Sequence, residues 1–400
     1  MSIIVKQLRC EEEENKTGRS LYSSQSSFAF KSRTYMSRHW WLSLSLLFWI
    51  ALMLPVQAAV ELRVAIKKNI NQLKVGSSTP AIVRDGAGNK IGKLTAMAAL
   101  AAQPSGGGIG LDRLRAGEII VEPAGDGYVW IGDRWYRGRT RLVRHGDNLT
   151  ALNYVDLEEY LYSVVGAEAV ASWPIEALKA QAVAARSYAL YKRSTSGGSL
   201  YDLDTTVGTQ VYKGLDSEYT TTHQAVNGTT GQVLTHNGRA ILAAFHSSSG
   251  GHTENVEDVW TSPLPYLRAV VDYDHQSPVF QWTKVFSVSE ISSLIGEVGT
   301  IKTMIPEKTT PFGRIVRMKV VGDRGTKELS GNDLRKILDL RSTLFRVSTD
   351  GTNIQISGRG FGHGLGLSQW GAYYLAKQGI NYQQILSHYY RNAALSQVGQ

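Results

Sequence analysis

Residues 156–193, DLEEYLYSVVGAEAVASWPIEALKAQAVAARSYALYKR, decide the fold of this chain. The stretch reads as two helices joined by a short hinge. Asp156 followed three residues later by Glu159 is an acidic form of capping box, so the first helix starts there. Leu157, Leu161, Val164 and Val165 recur at helical spacing and mark a buried face. Glu168 continues that stripe one turn beyond Val164. A carboxylate on a buried face is costly to ionise, and desolvation raises its pKa toward the range of a general acid. A partly buried Glu paired with an Arg gives the same pattern, so periodicity alone leaves both readings open. The second helix opens at Ser172-Trp173-Pro174, with Pro174 suited to the first helical position. Its stripe of Ile175, Leu178, Ala182, Ala185 and Ala189 permits close packing against another element.

Outward from that stretch, residues 60–145 read as short strands, clearest in LRVAIKK, AIVRDGAGNKIGKL, EIIVEP and the hairpin YVWI-Gly132-Asp133-RWYR. Residues 103–110 (QPSGGGIG) read as a flexible loop. Trp130, Trp135 and Tyr136 suit either a core or a sugar-stacking role. After the two helices, GQVLTH-Asn237-Gly238-RAILAAF is a hairpin signal, because Asn-Gly favours the type I′ turn. A strand leads into a helix near 282–296, where Ser287 and Glu290 form a capping box. Strands RIVRMKVVG and TKELSG precede a helix over 332–340, and a hairpin turns at Asp350-Gly351. Helices and antiparallel hairpins are mixed without βαβ repetition, which predicts an α+β fold. The expected organisation is an N-terminal extension and signal over 1–58, a small β-rich accessory domain over 60–145, and a larger unit over 146–395.

Residues 40–54 (WWLSLSLLFWIALML) are too short an apolar run for a comfortable membrane span. Arg33, Arg38 and His39 precede the run and Pro55-Val56-Gln57-Ala58 follows it, the layout of a secretory signal cut after Ala58. Met36 would be a conventional start for such a signal, and an uncleaved anchor is the structural alternative. An exported location, periplasm or cell wall, is therefore expected. Cys10 is the only cysteine, and it lies before the cut, so the exported part has neither a disulfide framework nor thiol chemistry. Removing seven Lys/Arg and four Asp/Glu with residues 1–58 leaves 36 basic against 30 acidic side chains, a balance of +6. A mildly basic exported protein suits an anionic envelope polymer, and no nucleic-acid motif accompanies the charge.

Other motifs carry candidate chemistry. His246 and His252 flank Ser247-Ser248-Ser249-Gly250-Gly251 with Glu254 nearby, but the spacing is neither HExxH nor a zinc-finger pattern, and no metal or cofactor is expected. A polar loop beside a cleft, with His246 and Ser248 facing a ligand or the surroundings of Glu168, is the preferred reading. No GxSxG elbow supports serine-hydrolase chemistry. Glycines at 358, 360, 362, 364 and 366 would, if extended, place Arg359, Phe361, His363, Leu365 and Leu367 on one face. The bare backbone opposite admits either a ligand or another chain segment. Ser368 and Gln369 suit the start of the next helix, and Gln369 is within reach of a ligand. In residues 204–212, DTTVGTQVY, Gln210 can bond an acetamido group and Tyr212 can stack on a sugar, or both can be ordinary strand residues.

Three segments together resemble the SpoIID/LytB family of bacterial cell-wall proteins: EEYLYSVVGAEAVASWPIEALKAQAVAARSYAL (158–190), FHSSSGGHTENVEDVW (245–260) and GRGFGHGLGLSQWGAYYLA (358–376), with LSGNDLRKILDLRSTLF upstream of the last. The likeness spans about 146–391 and leaves 60–145 uncovered. It implies a peptidoglycan lytic transglycosylase in which Glu168, in the segment matching the family's catalytic glutamate, is the acid and base. Gln210 and Tyr212 also fit the family's Gln-x-Tyr pattern, and the expected glycan contacts are Gln210, Tyr212, His246, Ser248, Arg359, His363 and Gln369. The family usually has Met-Pro just after that glutamate, where this chain has Ala169-Val170, so the hinge differs. The expected partner is the peptidoglycan glycan strand. The alternative is a non-catalytic amidase enhancer of the LytB type, partnered by a cell-wall amidase. A metal-dependent hydrolase built on His246, His252 and His363 is a third option.

Overall fold

The computed structural model describes residues 60–206, 208–260 and 262–398. The expected export segment with Cys10 and the cut after Ala58 lies outside the described residues, as does Val207. Two antiparallel sheets built mainly from residues 61–156 face each other. One contains the strand Asn148–Asp156, which pairs with Glu61–Ile70 on one edge and Arg139–His145 on the other. The second contains Leu73–Ser77, Ala99–Ser105 and Val129–Ile131. Residues 103–110 do not form a flexible loop: Ala99–Ser105 and Gly108–Leu111 are hairpin partners, and only Gly106-Gly107, both at positive φ, make the turn. Alternate residues such as Val64, Val75, Val121, Ile131 and Leu142 fill the space between the sheets, where burying each side chain contributes about 1.5–3 kcal/mol.

The helices are α1 (Leu157–Glu168), α2 (Ile175–Thr195), α3 (Thr220–Asn227), α4 (Val256–Val259), α5 (Val288–Ile295), α6 (Gly331–Ile337), α7 (Gln369–Lys377) and α8 (Tyr382–Tyr389). Asp156 ends the strand Asn148–Asp156, opposite Glu61, and caps α1 by accepting from the N–H groups of Glu158 (2.8 Å) and Glu159 (3.3 Å). The helix therefore leaves the sheet without a loop, and Leu157, Leu161, Val164 and Val165 bury as expected. Pro174 is the residue before α2 rather than its first turn. Leu178, Ala182, Ala185 and Ala189 join the first core, while Ile175 is 37% exposed. The opposite face, Ala177, Ala180, Val183 and Ala184, packs into a second core with α7 and α8. Small side chains let α2 be covered on both sides, and Arg186, fully buried in it, forms a two-pronged pair with Glu158 of α1.

Residues 281–359 form a third core between two three-stranded sheets, α5 and α6. The Asn237-Gly238 turn has φ of 50° and 73°, as a type I′ hairpin requires. Ser287 accepts from the Glu290 N–H at the start of α5. The helix expected over 332–340 ends earlier, at Ile337, and Asp339 has already turned to φ 48°. Mixed helices and mostly antiparallel sheets make this an α+β protein.

Candidate active site

Glu168 is the last residue of α1, and the chain turns to extended backbone at Ala169. Its Oε1 accepts from the Val211 N–H at 2.7 Å. Its main-chain carbonyl accepts from Gln369 Nε2 at 3.0 Å, and Gln369 also donates to Gln181 Oε1 at 3.3 Å. Burial pushes the Glu168 pKa up; the Val211 amide, Lys213 and Gln369 oppose that only in part. The negative end of the α1 dipole acts in the same direction as burial. The carboxyl is thus held by a backbone amide, not paired with an Arg as the simpler sequence reading allowed. Burial outweighs the amide, so the carboxyl keeps its proton to higher pH than a free one.

Val211 lies between Gln210 and Tyr212, and both of those side chains are interior. Gln210 accepts from the Tyr160 hydroxyl at 3.2 Å and donates to the Ala185 carbonyl at 3.2 Å. Tyr212 packs between Tyr136 and Tyr160, with ring centroids 5.3 Å and 4.7 Å away, and its hydroxyl donates to Asn153 Oδ1 at 2.8 Å. The sugar contacts expected of them are not what the structure shows, since neither offers surface to a ligand. They are the posts that aim the Val211 N–H at Glu168.

His246 and Ser368 are partners in a short parallel pairing that ends just before Gln369. His246 donates from Nδ1 to the Leu365 carbonyl at 3.0 Å, while its Nε2 is buried without a partner. His363 donates from Nε2 to the Phe245 carbonyl (2.9 Å) and accepts at Nδ1 from the Leu365 N–H (3.0 Å). The rings are 5.2 Å apart. Burial holds His246 well below its ordinary pKa and brings His363 to about 4, so both are neutral at pH 7. His252 is not gathered with them; it stacks on Phe312, and among the described residues no group of three or more potential ligands is placed to hold a metal.

Two other expected contacts are elsewhere. Ser248 is fully buried and donates to Asp274, which also takes the N–H groups of Gly250 and Gly251. Arg359 is exposed and lines a groove of 620 Å³ with Trp282, Phe312, Phe345 and Arg346, a groove lined by none of the residues around Glu168. The glycine-rich run is not extended beyond Arg359. Gly360, Gly362, Gly364 and Gly366 have φ of 75°, 117°, 79° and 65°, and the loop packs backbone to backbone on residues 244–250. A Cβ on Gly366 would collide with the Ala244 carbonyl. Bare backbone here admits another chain segment. Ser368 caps α7 and Gln369 opens it, as expected.

Sequence reasoning missed the Val211 amide, Gln181, and an aromatic group formed by Trp173, Trp370, Tyr373 and Tyr374. The i, i+3, i+4 spacing of the last three was the signal available.

The family model described as Stage II sporulation protein matches residues 145–236, which contain α1, α2 and Glu168; a model described as a domain of unknown function matches 267–366. Stage II sporulation protein D of Bacillus amyloliquefaciens is 38% identical over 263 residues, 61% of this chain and 75% of that one. Its Bacillus subtilis counterpart is 36% identical over 263 residues, with the same coverage. The amidase enhancer of Bacillus subtilis is 31% identical over 291 residues, which are 59% of this chain and 40% of the enhancer.

Proposed function

The chain belongs to the SpoIID/LytB family of bacterial cell-wall proteins, and from that premise we propose that it is a peptidoglycan lytic transglycosylase. Protonated Glu168 donates to the glycosidic oxygen between N-acetylmuramic acid and N-acetylglucosamine. The resulting carboxylate takes the proton of the muramic C6 hydroxyl, which attacks C1 and closes a 1,6-anhydro ring. The nucleophile is the substrate's own hydroxyl, so the second carboxylate of an ordinary glycosidase is unnecessary. The observation that carries this reading is the state of Glu168: half-buried, raised in pKa, and held through Oε1 by one backbone amide. The substrate is extracytoplasmic, which agrees with the export expected from residues 33–58.

The test is mass spectrometry of soluble products after incubating the protein with intact and with amidase-stripped peptidoglycan. Products ending in 1,6-anhydro-N-acetylmuramic acid, absent with Glu168→Gln, are expected. Reducing-end sugars would show hydrolysis and overturn ring closure. The likeness to an amidase enhancer favours a second reading, in which the chain binds wall glycan and stimulates a separate N-acetylmuramoyl-L-alanine amidase. Binding without cleavage, with amidase stimulation that survives Glu168→Gln, would select it.

A further inference from the structure

Four aromatic side chains stand beside the glutamate and take no part in holding it. Trp173 lies in the hinge between α1 and α2, five residues past Glu168. Trp370, Tyr373 and Tyr374 come from α7, whose first residue, Gln369, donates to the Glu168 carbonyl. Ring centroids are 4.9 Å apart for Trp173 and Trp370, 5.2 Å for Trp173 and Tyr373, 5.2 Å for Trp370 and Tyr373, and 4.9 Å for Tyr373 and Tyr374. Tyr373 meets Trp370 and Tyr374 edge to face, at 73° and 85°, and Trp173 meets Trp370 and Tyr373 at 57° and 50°. Core rings elsewhere are covered, with Tyr160, Tyr212, Tyr389 and Tyr390 at most 2% exposed, whereas all four rings here are half-buried.

The supports of this cluster are fixed. The Trp173 N–H donates to the Val170 carbonyl, the Thr221 hydroxyl to the Ala171 carbonyl (2.7 Å), and the Tyr374 hydroxyl to the Gln276 carbonyl (2.7 Å). The exposed Lys377 side chain places its ammonium over the Tyr373 ring, 5.6 Å from its centre.

We propose that this cluster, with Tyr373 at its centre, is a stacking subsite for a pyranose ring of the glycan strand next to the bond presented to Glu168. The subsite rests on the transglycosylase reading for the identity of its ligand. A pyranose face carries C–H groups with slight positive charge, which pack on the negative face of an aromatic ring. Its hydroxyl and acetamido edges need a polar partner, which Lys377 supplies from a long exposed stem free to move off the Tyr373 face. Rings already locked in place lose little entropy when a sugar settles on them.

The test uses the full chain and an N-acetylglucosamine tetramer as probe, with binding followed by calorimetry and KM measured on stripped peptidoglycan. Tyr373→Ala is expected to weaken tetramer binding about tenfold and to raise KM by a similar factor. Tyr373→Phe, which keeps the ring, restores the affinity. Should Tyr373→Ala melt abnormally, Trp370→Phe gives the second readout: the change in tryptophan fluorescence on adding tetramer, expected with wild type, shrinks. Wild-type affinity and KM in a folded Tyr373→Ala variant would overturn the subsite while leaving the transglycosylase reading intact. Tetramer binding that depends on Tyr373, in a protein that cleaves no glycan, would support the subsite and remove the transglycosylase instead. Failure of wild type to bind the tetramer would overturn the subsite.

Discussion

Glu168 was legible from its place one turn past Val164 on a buried stripe, because helical periodicity is local. Its partner was not. The Val211 N–H comes from 43 residues away, and a backbone amide leaves no mark in a sequence; only the bracketing Gln210 and Tyr212 hinted at that loop. The raised pKa has a stability consequence with a definite sign. The folded chain holds the Glu168 proton more tightly than the unfolded chain, so stability is fullest below the unfolded carboxyl pKa and is lost as pH rises through the folded one. Glu168→Gln removes that loss and keeps an oxygen for the Val211 N–H. It should therefore be more stable than wild type at pH 8, with the difference shrinking as the pH falls below the unfolded carboxyl pKa; paired thermal melts read this directly. Gln369→Leu acts oppositely. It leaves the Glu168 carbonyl and Gln181 short of a donor, and should cost about 1–3 kcal/mol in urea unfolding. It should also move the pH profile of cleavage, which a loss confined to packing would leave in place.

At the level of elements, strands, hairpins and helix starts followed from turn residues and caps that act within a few residues. The second face of α2 did not, since Ala177, Ala180 and Ala184 are neutral in an apolar pattern and become core only because α7 and α8 cover them. The glycine-rich run misled for a related reason. An alternation of Gly and larger residues looks like a strand, yet the positive φ at every second residue winds the backbone against residues 244–250. Gly366→Ala tests which constraint matters. Its Cβ would meet the Ala244 carbonyl as well as demand φ 65°, whereas Gly351, at φ 92° in an exposed turn, has nothing within 4 Å. Gly351→Ala should cost about 1 kcal/mol from backbone conformation alone, and Gly366→Ala at least about 3 kcal/mol. Equal losses in denaturant titrations would mean that close packing of the loop contributes nothing.

Across the whole molecule, the strand that launches α1 and the β-rich segment before it share one sheet. The strand Asn148–Asp156, which launches α1, is hydrogen-bonded on both edges to strands from residues 61–145. The sequence carries little trace of this, because pairing between residues 61 and 156 is fixed by the sheet as a whole and not by any local pattern. The connection reaches the site. Tyr136 packs on Tyr212, Arg137 pairs with Glu218 at 2.9 Å, and Tyr212 sets the Val211 amide on Glu168. A chain beginning at residue 146 would open Leu149, Leu152 and Val155 to water at about 1.5–3 kcal/mol each, against a total stability of roughly 5–15 kcal/mol for a domain. It should lack a cooperative melt and near-ultraviolet dichroism, and it should not cleave glycan even with Glu168 present, while residues 59–400 unfold in a cooperative transition. A shortened chain that melted cooperatively and released anhydro-ended products would show that the Val211 amide holds its place without the sheet, and that residues 60–145 serve some purpose other than supporting the glutamate.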